Sequence, residues 1–289
     1  MDTAGLHAFV TVADTGSFSH AAQLLFLTQS AVSKRIALLE TQLSCRLFDR
    51  IGRQVMLTEA GLALLPKARE ILASMEDAER MIGNLSGHIG GRLALATSHH
   101  ISLHRLPPIL KTFVERFPAV ELDLQFAASE VAYEGVLRGE LELALITLAP
   151  EQDARICSRT VWTDRLQYVV GRNHPLATST EPDLSALSRY PAILPGPDTF
   201  THQRVRQQLA RQGLELTLGM STDYLDTIRM MVSIGLGWSL LPETMIDDQL
   251  VTLNTGSEPI DRPLGYIHHR DRTLSNAAGE LLTLLATDI

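Results

Sequence analysis

The chain has 289 residues, with 25 Lys and Arg against 33 Asp and Glu and a net charge of −8. That length is too great for a single small module and leaves room for several domains, each with its own core. No apolar run reaches the roughly 18 residues of a membrane span, the opening residues lack a basic leader before an apolar stretch, and two cysteines, Cys45 and Cys157, build no disulfide framework, so a cytoplasmic protein is expected.

In chain order, the first informative stretch runs from Ser17 to Gly61. Ser19 is expected to cap a short helix from His20 to Leu25, in which the small Ala21 and Ala22 let a second helix cross closely. Phe26 and Leu27 end it, and Thr28 caps the next helix, Gln29 to Leu43. Ala31, Val32, Ile36, Leu39 and Leu43 fall at spacings of three and four and predict its buried stripe. The opposite face carries Gln29, Ser30, Ser33, Lys34 and Arg35, an amide and two hydroxyls to meet base edges and two cations to meet phosphate. Arg50 to Leu57 reads as two short strands about a turn at Gly52, a wing with Arg50 and Arg53 at its tip. One such helix alone is an ordinary surface helix, but two at this spacing followed by a basic hairpin point to duplex DNA. The candidate contacts are Thr28, Gln29, Ser30, Ser33, Lys34, Arg35, Arg50 and Arg53.

The net acidity lies away from this head. Residues 1–58 hold five Lys/Arg against four Asp/Glu, a net of +1, and residues 59–87 hold three against five, a net of −2, which leaves −7 for the remainder. A head so weakly positive has modest affinity for nonspecific DNA, so two or more heads acting together are expected.

Residues Leu6 to Gly61 resemble the N-terminal winged helix-turn-helix of the LysR-type transcriptional regulators, and the resemblance runs in order along the whole chain. One departure is Ser30, where the family more often has proline. Proline suits the first turn of a helix; serine keeps the fold and adds a hydroxyl for phosphate.

Thr58 caps a third helix, predicted from Glu59 to about Leu85. Its Leu64, Ala68, Ile71, Met75, Ala78, Ile82 and Leu85 recur at alternating intervals of four and three, the heptad stripe of a coiled-coil seam. Packing on its own domain is the plain alternative, but the polar residues between leave no second apolar face, which favours dimerisation. Pro66 is expected to bend the helix. Asn84 to Gly91, rich in turn formers, is expected to be a hinge.

From Arg92 short strands alternate with helices. Strands are expected over Leu93 to Thr97, Val120 to Phe126 and Leu141 to Thr147, with helices over Leu106 to Phe117 and Val131 to Arg138, the βαβαβ pattern of a doubly wound parallel sheet. A second set has strands over Leu166 to Val170, Ala192 to Leu194, Glu215 to Met220 and Ser239 to Leu241, and helices over Thr201 to Gln212 and Tyr224 to Ile234. A strand from Leu264 to His268 and a helix from Leu274 to Leu285 close the chain. The expected fold class is α/β with an N-terminal all-α winged helix-turn-helix: a DNA-binding domain over 1–58, a linker helix and hinge over 59–89, and a regulatory domain over 90–289. In the last, lobe I takes 90–162 and 266–289, and lobe II takes 163–265. Two such Rossmann-like lobes resemble the family's effector domain, itself similar to periplasmic solute-binding proteins; Arg172-Asn173-His174-Pro175-Leu176 and the run Gly235 to Pro242 carry that likeness.

In open α/β sheets ligands collect at the carboxyl ends of strands, where helix N-termini offer free N–H groups. The candidates there are Thr97, Ser98 and His100 after the first strand, Ser129 after the second, Thr147 after the third, and Thr199, Thr201 and Asp223 in lobe II. Hydroxyls dominate, as suits a small carboxylate, although each alone could simply cap its helix. With Glu130 and Asp223 they favour a small organic or amino acid over a hydrophobic aromatic. His100 is included because the resemblance implies a ligand contact in that loop. His99, His100 and His104, and separately His268 and His269, cluster in sequence without a metal-ligand spacing, so no metal is expected. No catalytic motif is present, so neither an enzyme nor a cofactor is expected.

The resemblance implies an effector-responsive transcription factor that dimerises through the linker helix and assembles as a homotetramer. It would bind an interrupted inverted repeat in promoter DNA and, on binding a small metabolite between the lobes, change its contact with RNA polymerase. The alternative is a solute-binding or enzyme domain whose N-terminal helices only dimerise; salt-dependent DNA binding with a large specificity ratio separates the two.

Overall fold

The computed structural model describes residues 2–51, 54–180 and 182–287. The chain divides into two compact units, one running through His88 with Arg138–Glu140 and Arg272–Ser275, the other taking the remaining residues.

The first unit opens with α1 (Thr3–Thr15), capped by Asp2, whose carboxylate accepts from the Gly5 N–H at 2.8 Å. It continues with α2 (Phe18–Leu24), α3 (Gln29–Leu43), β1 (Phe48–Ile51), β2 (Gln54–Leu57) and α4 (Glu59–Leu85). Leu6, Phe9 and Val12 of α1 recur every three residues and pack on Ala21 and Ala22 of α2 and Val32, Ile36 and Leu39 of α3. The cap of α2 is Ser17, whose hydroxyl accepts from the His20 N–H at 3.3 Å, rather than Ser19. The helix starts early because Phe18 is buried, its ring 5.8 Å from that of Phe48. Phe26 takes φ of +53°, which ends α2, and Thr28 caps α3 as expected. The buried stripe of α3 is Val32, Ile36 and Leu39; Ala31 is half-buried and Leu43 is exposed, because Ser44 at φ +53° turns the chain away just beyond it.

The wing strands pair antiparallel, with Ile51 opposite Gln54. The expected turn at Gly52, Arg53 itself and the side chain of Arg50 lie outside the described residues. Glu40 Oε1 on α3 accepts from the Leu47 N–H at 2.7 Å, and the Thr58 hydroxyl donates to the Arg46 carbonyl at 2.7 Å, so α3 and the start of α4 both hold the root of the wing. Gly61 belongs to the same joint: a Cβ there would lie 2.3 Å from the Leu47 carbonyl oxygen.

α4 runs uninterrupted through Pro66. Its apolar stripe is divided. Ala68 is fully buried and Leu64 packs beside it on the core of this unit, together with Leu72, whereas Ile71, Met75, Ala78, Ile82 and Leu85 are exposed. The first turns of α4 lie against α1 and β2, so the N-terminal end of the heptad stripe finds its apolar partner within the head.

The second unit contains, in order, β3 (Gly91–Thr97), α5 (His99–His104), α6 (Pro107–Arg116), β4 (Val120–Phe126), α7 (Ser129–Arg138), β5 (Leu143–Thr147), β6 (Ile156–Gly171), α8 (Leu184–Ser188), β7 (Ala192–Leu194), α9 (Phe200–Arg211), β8 (Leu218–Ser221), α10 (Leu225–Ser233), β9 (Trp238–Pro242), β10 (Leu250–Leu253), β11 (Ile260–His269) and α11 (Asn276–Thr287). Its strands run β4-β3-β5-β11-β6-β9-β7-β8, with β10 also on β6. β3 is parallel to β4 and β5, and β7 is parallel to β8 and β9. Each lobe is thus a parallel βαβ sheet bordered by one antiparallel strand.

Those bordering strands, β6 and β11, pair with each other from Ile260 opposite Leu166 to His269 opposite Ile156, so one hydrogen-bonded ribbon joins the lobes. The sequence predicts only short segments here, because the ribbon exposes Thr, Arg and Asp on alternate positions and these break the apolar run. The register shifts between Leu264 and Gly265, where a Cβ would lie 2.0 Å from the Arg159 carbonyl oxygen, so the bulge requires glycine. The expected lobe boundaries cut β6 after Trp162 and β11 at this bulge.

Candidate functional site

Two polar surfaces gather the residues expected from the sequence. One is the start of α3. The Thr28 hydroxyl accepts from the Ala31 N–H at 3.2 Å and lies 3.0 Å from the Ser30 hydroxyl. The exposed Gln29 amide is held from α2 by Ser19, whose hydroxyl donates to Gln29 Oε1 at 3.2 Å. Ser30 and Lys34 are exposed, and Ser33 and Arg35 are half-buried. Gln29 and Ser33 sit one turn apart on the same face, with the positive end of the helix dipole behind Gln29. This arrangement presents donors and acceptors first and cations after. The sequence does not single out Phe26, which is almost wholly exposed in the turn before α3.

The other surface is a cavity of about 490 Å³ in the second unit. Ser98, His100, Ser129 and Thr147 line it from lobe I, and Thr199, Thr201 and Asp223 from lobe II, so it gathers all but one of the expected effector contacts. Thr97 is the exception. Its side chain is fully buried, with the hydroxyl donating to the Ser98 carbonyl at 3.3 Å.

Several of these groups already have structural work. Thr199 caps α9, donating to the Gly196 carbonyl at 2.7 Å and accepting from the His202 N–H at 3.4 Å. The Ser129 hydroxyl accepts from the Thr147 N–H at 3.1 Å, and Asp223 Oδ1 accepts from the Gly196 N–H at 2.9 Å. Ser98 differs: it occupies the cap position of α5 yet makes no side-chain capping bond.

A buried charged cluster adjoins the cavity, and the sequence does not single it out. Arg262 lines the cavity and is only 6% exposed, donating through Nη2 to Asp164 Oδ2 at 2.6 Å. Asp164, wholly buried at the side chain, also accepts from Arg105 Nη2 at 2.8 Å and contacts His100 Nε2 at 3.1 Å. Burial alone would raise the Asp164 carboxyl; hydrogen bonds from His100, Arg262 and Arg105 and the charge of Arg262 outweigh it and hold the group well below the usual carboxylate range. Burial lowers the His100 pKa against the opposing pull of Asp164, which keeps the imidazole neutral at neutral pH. Arg262 Nε and His100 Nδ1 are buried without a partner. The signal for this cluster was faint: Arg262 stands at an inward register position between Ile260 and Leu264, and Asp164 two residues before Leu166.

On Glu130, which also lines the cavity, burial raises the pKa, with the charges of Asp223 and Asp198 adding to it. Among the described residues no group of His, Cys, Asp and Glu is arranged to hold a metal ion, and no helix is long and apolar enough to cross a membrane.

Residues 4–62 match the family model "Bacterial regulatory helix-turn-helix protein, lysR family", and residues 86–288 match "LysR substrate binding domain". An uncharacterised HTH-type transcriptional regulator in the ibpB-leuC intergenic region of Azotobacter vinelandii is 66% identical over 108 residues, 37% of this chain and 75% of that one. Full-length CbnR, solved in complex with its target DNA, aligns with a TM-score of 0.64 at 20% identity, covering 100% of both chains. The effector binding domain of QuiR, solved with shikimate, aligns with a TM-score of 0.61 at 17% identity, covering 69% of this chain and 97% of that one.

Proposed function

The chain belongs to the LysR family of bacterial transcriptional regulators, and from that premise we propose that it binds promoter DNA through α3 and the wing and responds to a small carboxylate-bearing metabolite in the cavity of its regulatory domain. The family is one of regulators, not enzymes. The observation that carries the effector reading is the lining of the cavity: seven of the expected strand-end and helix-start residues converge on it beside the buried Arg262, and the Ser98 hydroxyl among them makes no cap bond. A carboxylate would accept from the Ser98 hydroxyl beside the positive charge of Arg262 and the start of α9, where Thr201 is buried. Shikimate, the ligand of the QuiR domain, is itself a carboxylate, and the CbnR complex shows a chain of this fold on DNA.

In this reading residues 1–58 form the DNA-binding domain, 59–89 the linker and 90–289 the regulatory domain. Gln29 and Ser33 read base edges, while Thr28, Ser30, Lys34, Arg35, Arg50 and Arg53 hold phosphate. The exposed stripe Ile71, Met75, Ala78, Ile82 and Leu85 supplies the dimer seam, and pairs of dimers give a tetramer. The regulator acts in the cytoplasm and signals through contact with RNA polymerase.

The test is binding of the full chain to the DNA upstream of its own gene and of the divergently transcribed neighbour, titrated with salt and with small organic and amino acids. Specific binding about a thousandfold or more above that to unrelated DNA is expected, altered by at least one acid whose effect is lost in Ser98→Ala. Equal affinity for all sequences would refute the reading.

A further inference from the structure

The cavity is lined by groups of both charges. Arg262, on its wall, is bonded with Arg105 around the single carboxylate of Asp164, two cations to one anion. Arg262 is more than nine-tenths buried. Glu130 and Asp223 also line the cavity, and neither carboxylate is paired with a cation among the described ion pairs. Phe126, Phe200 and Tyr224 stand beside them, Phe126 64% and Tyr224 55% exposed, in a chain with few aromatics. Arg204 lies over the Phe200 ring at 5.1 Å and donates to Gln207.

Exposed aromatic faces beside unpaired carboxylates form the environment that holds an ammonium or guanidinium group. Each part has a plainer explanation alone, since an acid commonly starts a helix such as α7. Burial raises the Glu130 pKa and, with the charges of Asp223 and Asp198, outweighs the lowering pull of its own backbone N–H.

Resting on the reading of this cavity as the effector site, we infer that its ligand is a zwitterion of the amino-acid type, with its carboxylate at Ser98 and Arg262 and its cationic nitrogen at Glu130 and Asp223. A dicarboxylate would bring its second charge against two like charges. An uncharged aromatic acid would desolvate both carboxylates and return nothing to them. The volume, about 490 Å³, is in the range of small-molecule sites and suits a compact ligand.

The experiment is calorimetric titration of the full chain with the proteinogenic L-amino acids, with their 2-hydroxy-acid analogues, which lack the ammonium, and with their decarboxylated amines. At least one amino acid is expected to bind, and its two analogues about tenfold or more weakly. Glu130→Gln and Asp223→Asn, which keep shape, should each weaken that amino acid by roughly tenfold or more while leaving the hydroxy acid unaffected. A hydroxy acid or dicarboxylate that binds as tightly as the amino acid, with no response to Glu130→Gln, overturns the inference and leaves the cavity as the effector site. Amino-acid binding that survives both Ser98→Ala and Thr201→Val overturns the cavity reading itself. No binding by any amino acid at millimolar concentration overturns the zwitterion.

Discussion

Replacing Asp164 with Asn tests whether the buried charge cluster holds the regulatory domain together. The substitution keeps the shape of the side chain but removes the charge that balances Arg262, which is 6% exposed and bonded at 2.6 Å, and Arg105, bonded at 2.8 Å. Arg105 is partly exposed and can turn to water; Arg262 cannot. Breaking a buried pair from one side costs about 3–5 kcal/mol, because the remaining charge stays desolvated. In a domain of this size each kcal/mol moves the unfolding midpoint by about 2–4 °C, so calorimetry should show the transition about 6–20 °C lower. Acidification supplies a second reading. The folded-state pKa values of His100 and Asp164 both lie below the ordinary values of 6.5 and 3.8, so in each window the unfolded chain binds more protons and stability falls with pH. The wild type should lose stability in two stages, the first as pH drops below 6.5 and the second as it drops below 3.8. Asp164→Asn should lack the second stage and deepen the first, since His100 loses the neighbour that favours its proton. A midpoint within about 3 °C of wild type, with both stages intact, would refute this account of the cluster.

At the head, Gln29→Ala should cost about 1–3 kcal/mol of operator binding and relax preference at one base pair; a panel of single-base operator variants measures this, and unchanged specificity would place α3 in a different register. Lys34→Ala should instead weaken all sequences alike and reduce the slope of log affinity against log salt by about one. Ile82→Glu, at a position 63% exposed on α4, should give monomers by light scattering with both units folded, and a variant that stays dimeric would move the interface elsewhere. Gly61→Ala must push a methyl against the Leu47 carbonyl, 2.3 Å away, costing about 1–3 kcal/mol and loosening the root of the wing; a head as stable as wild type would show that α4 can shift freely there.

What the sequence shows clearly is local. Caps at Thr28 and Thr58, the Val32, Ile36 and Leu39 part of the α3 stripe and the length of α4 all depend on neighbours a few residues apart, and these expectations match the structure. Expectations that miss depend on distant partners. Ser17 and Ser19 are both competent caps, and the choice falls to Ser17 because Phe18 must reach Phe48. The heptad stripe of α4 is real, but periodicity cannot say whether Leu64 and Ala68 face a second copy or their own head, and the structure places them in the head's core. The β6–β11 ribbon is hidden by the polar residues on its outer side, and Asp164 and Arg262, 98 residues apart, reveal their pairing only once that ribbon is formed.

The effector candidates show the same division at finer grain. Strand-end hydroxyls can be named from sequence because the pattern of strands and helices is legible, but whether a hydroxyl is free depends on tertiary partners. Thr199 is engaged by Gly196 and His202, and Ser129 by Thr147; removing either hydroxyl would disturb the wall of the cavity as well as any ligand. Ser98 has the opposite character, its half-buried hydroxyl making no cap bond. A ligand that accepts from it gains a hydrogen bond without breaking one within the protein. The effect of Ser98→Ala on the ligand-free protein should therefore be small and its effect on ligand binding large, whereas Thr199→Val should lower stability and affinity together.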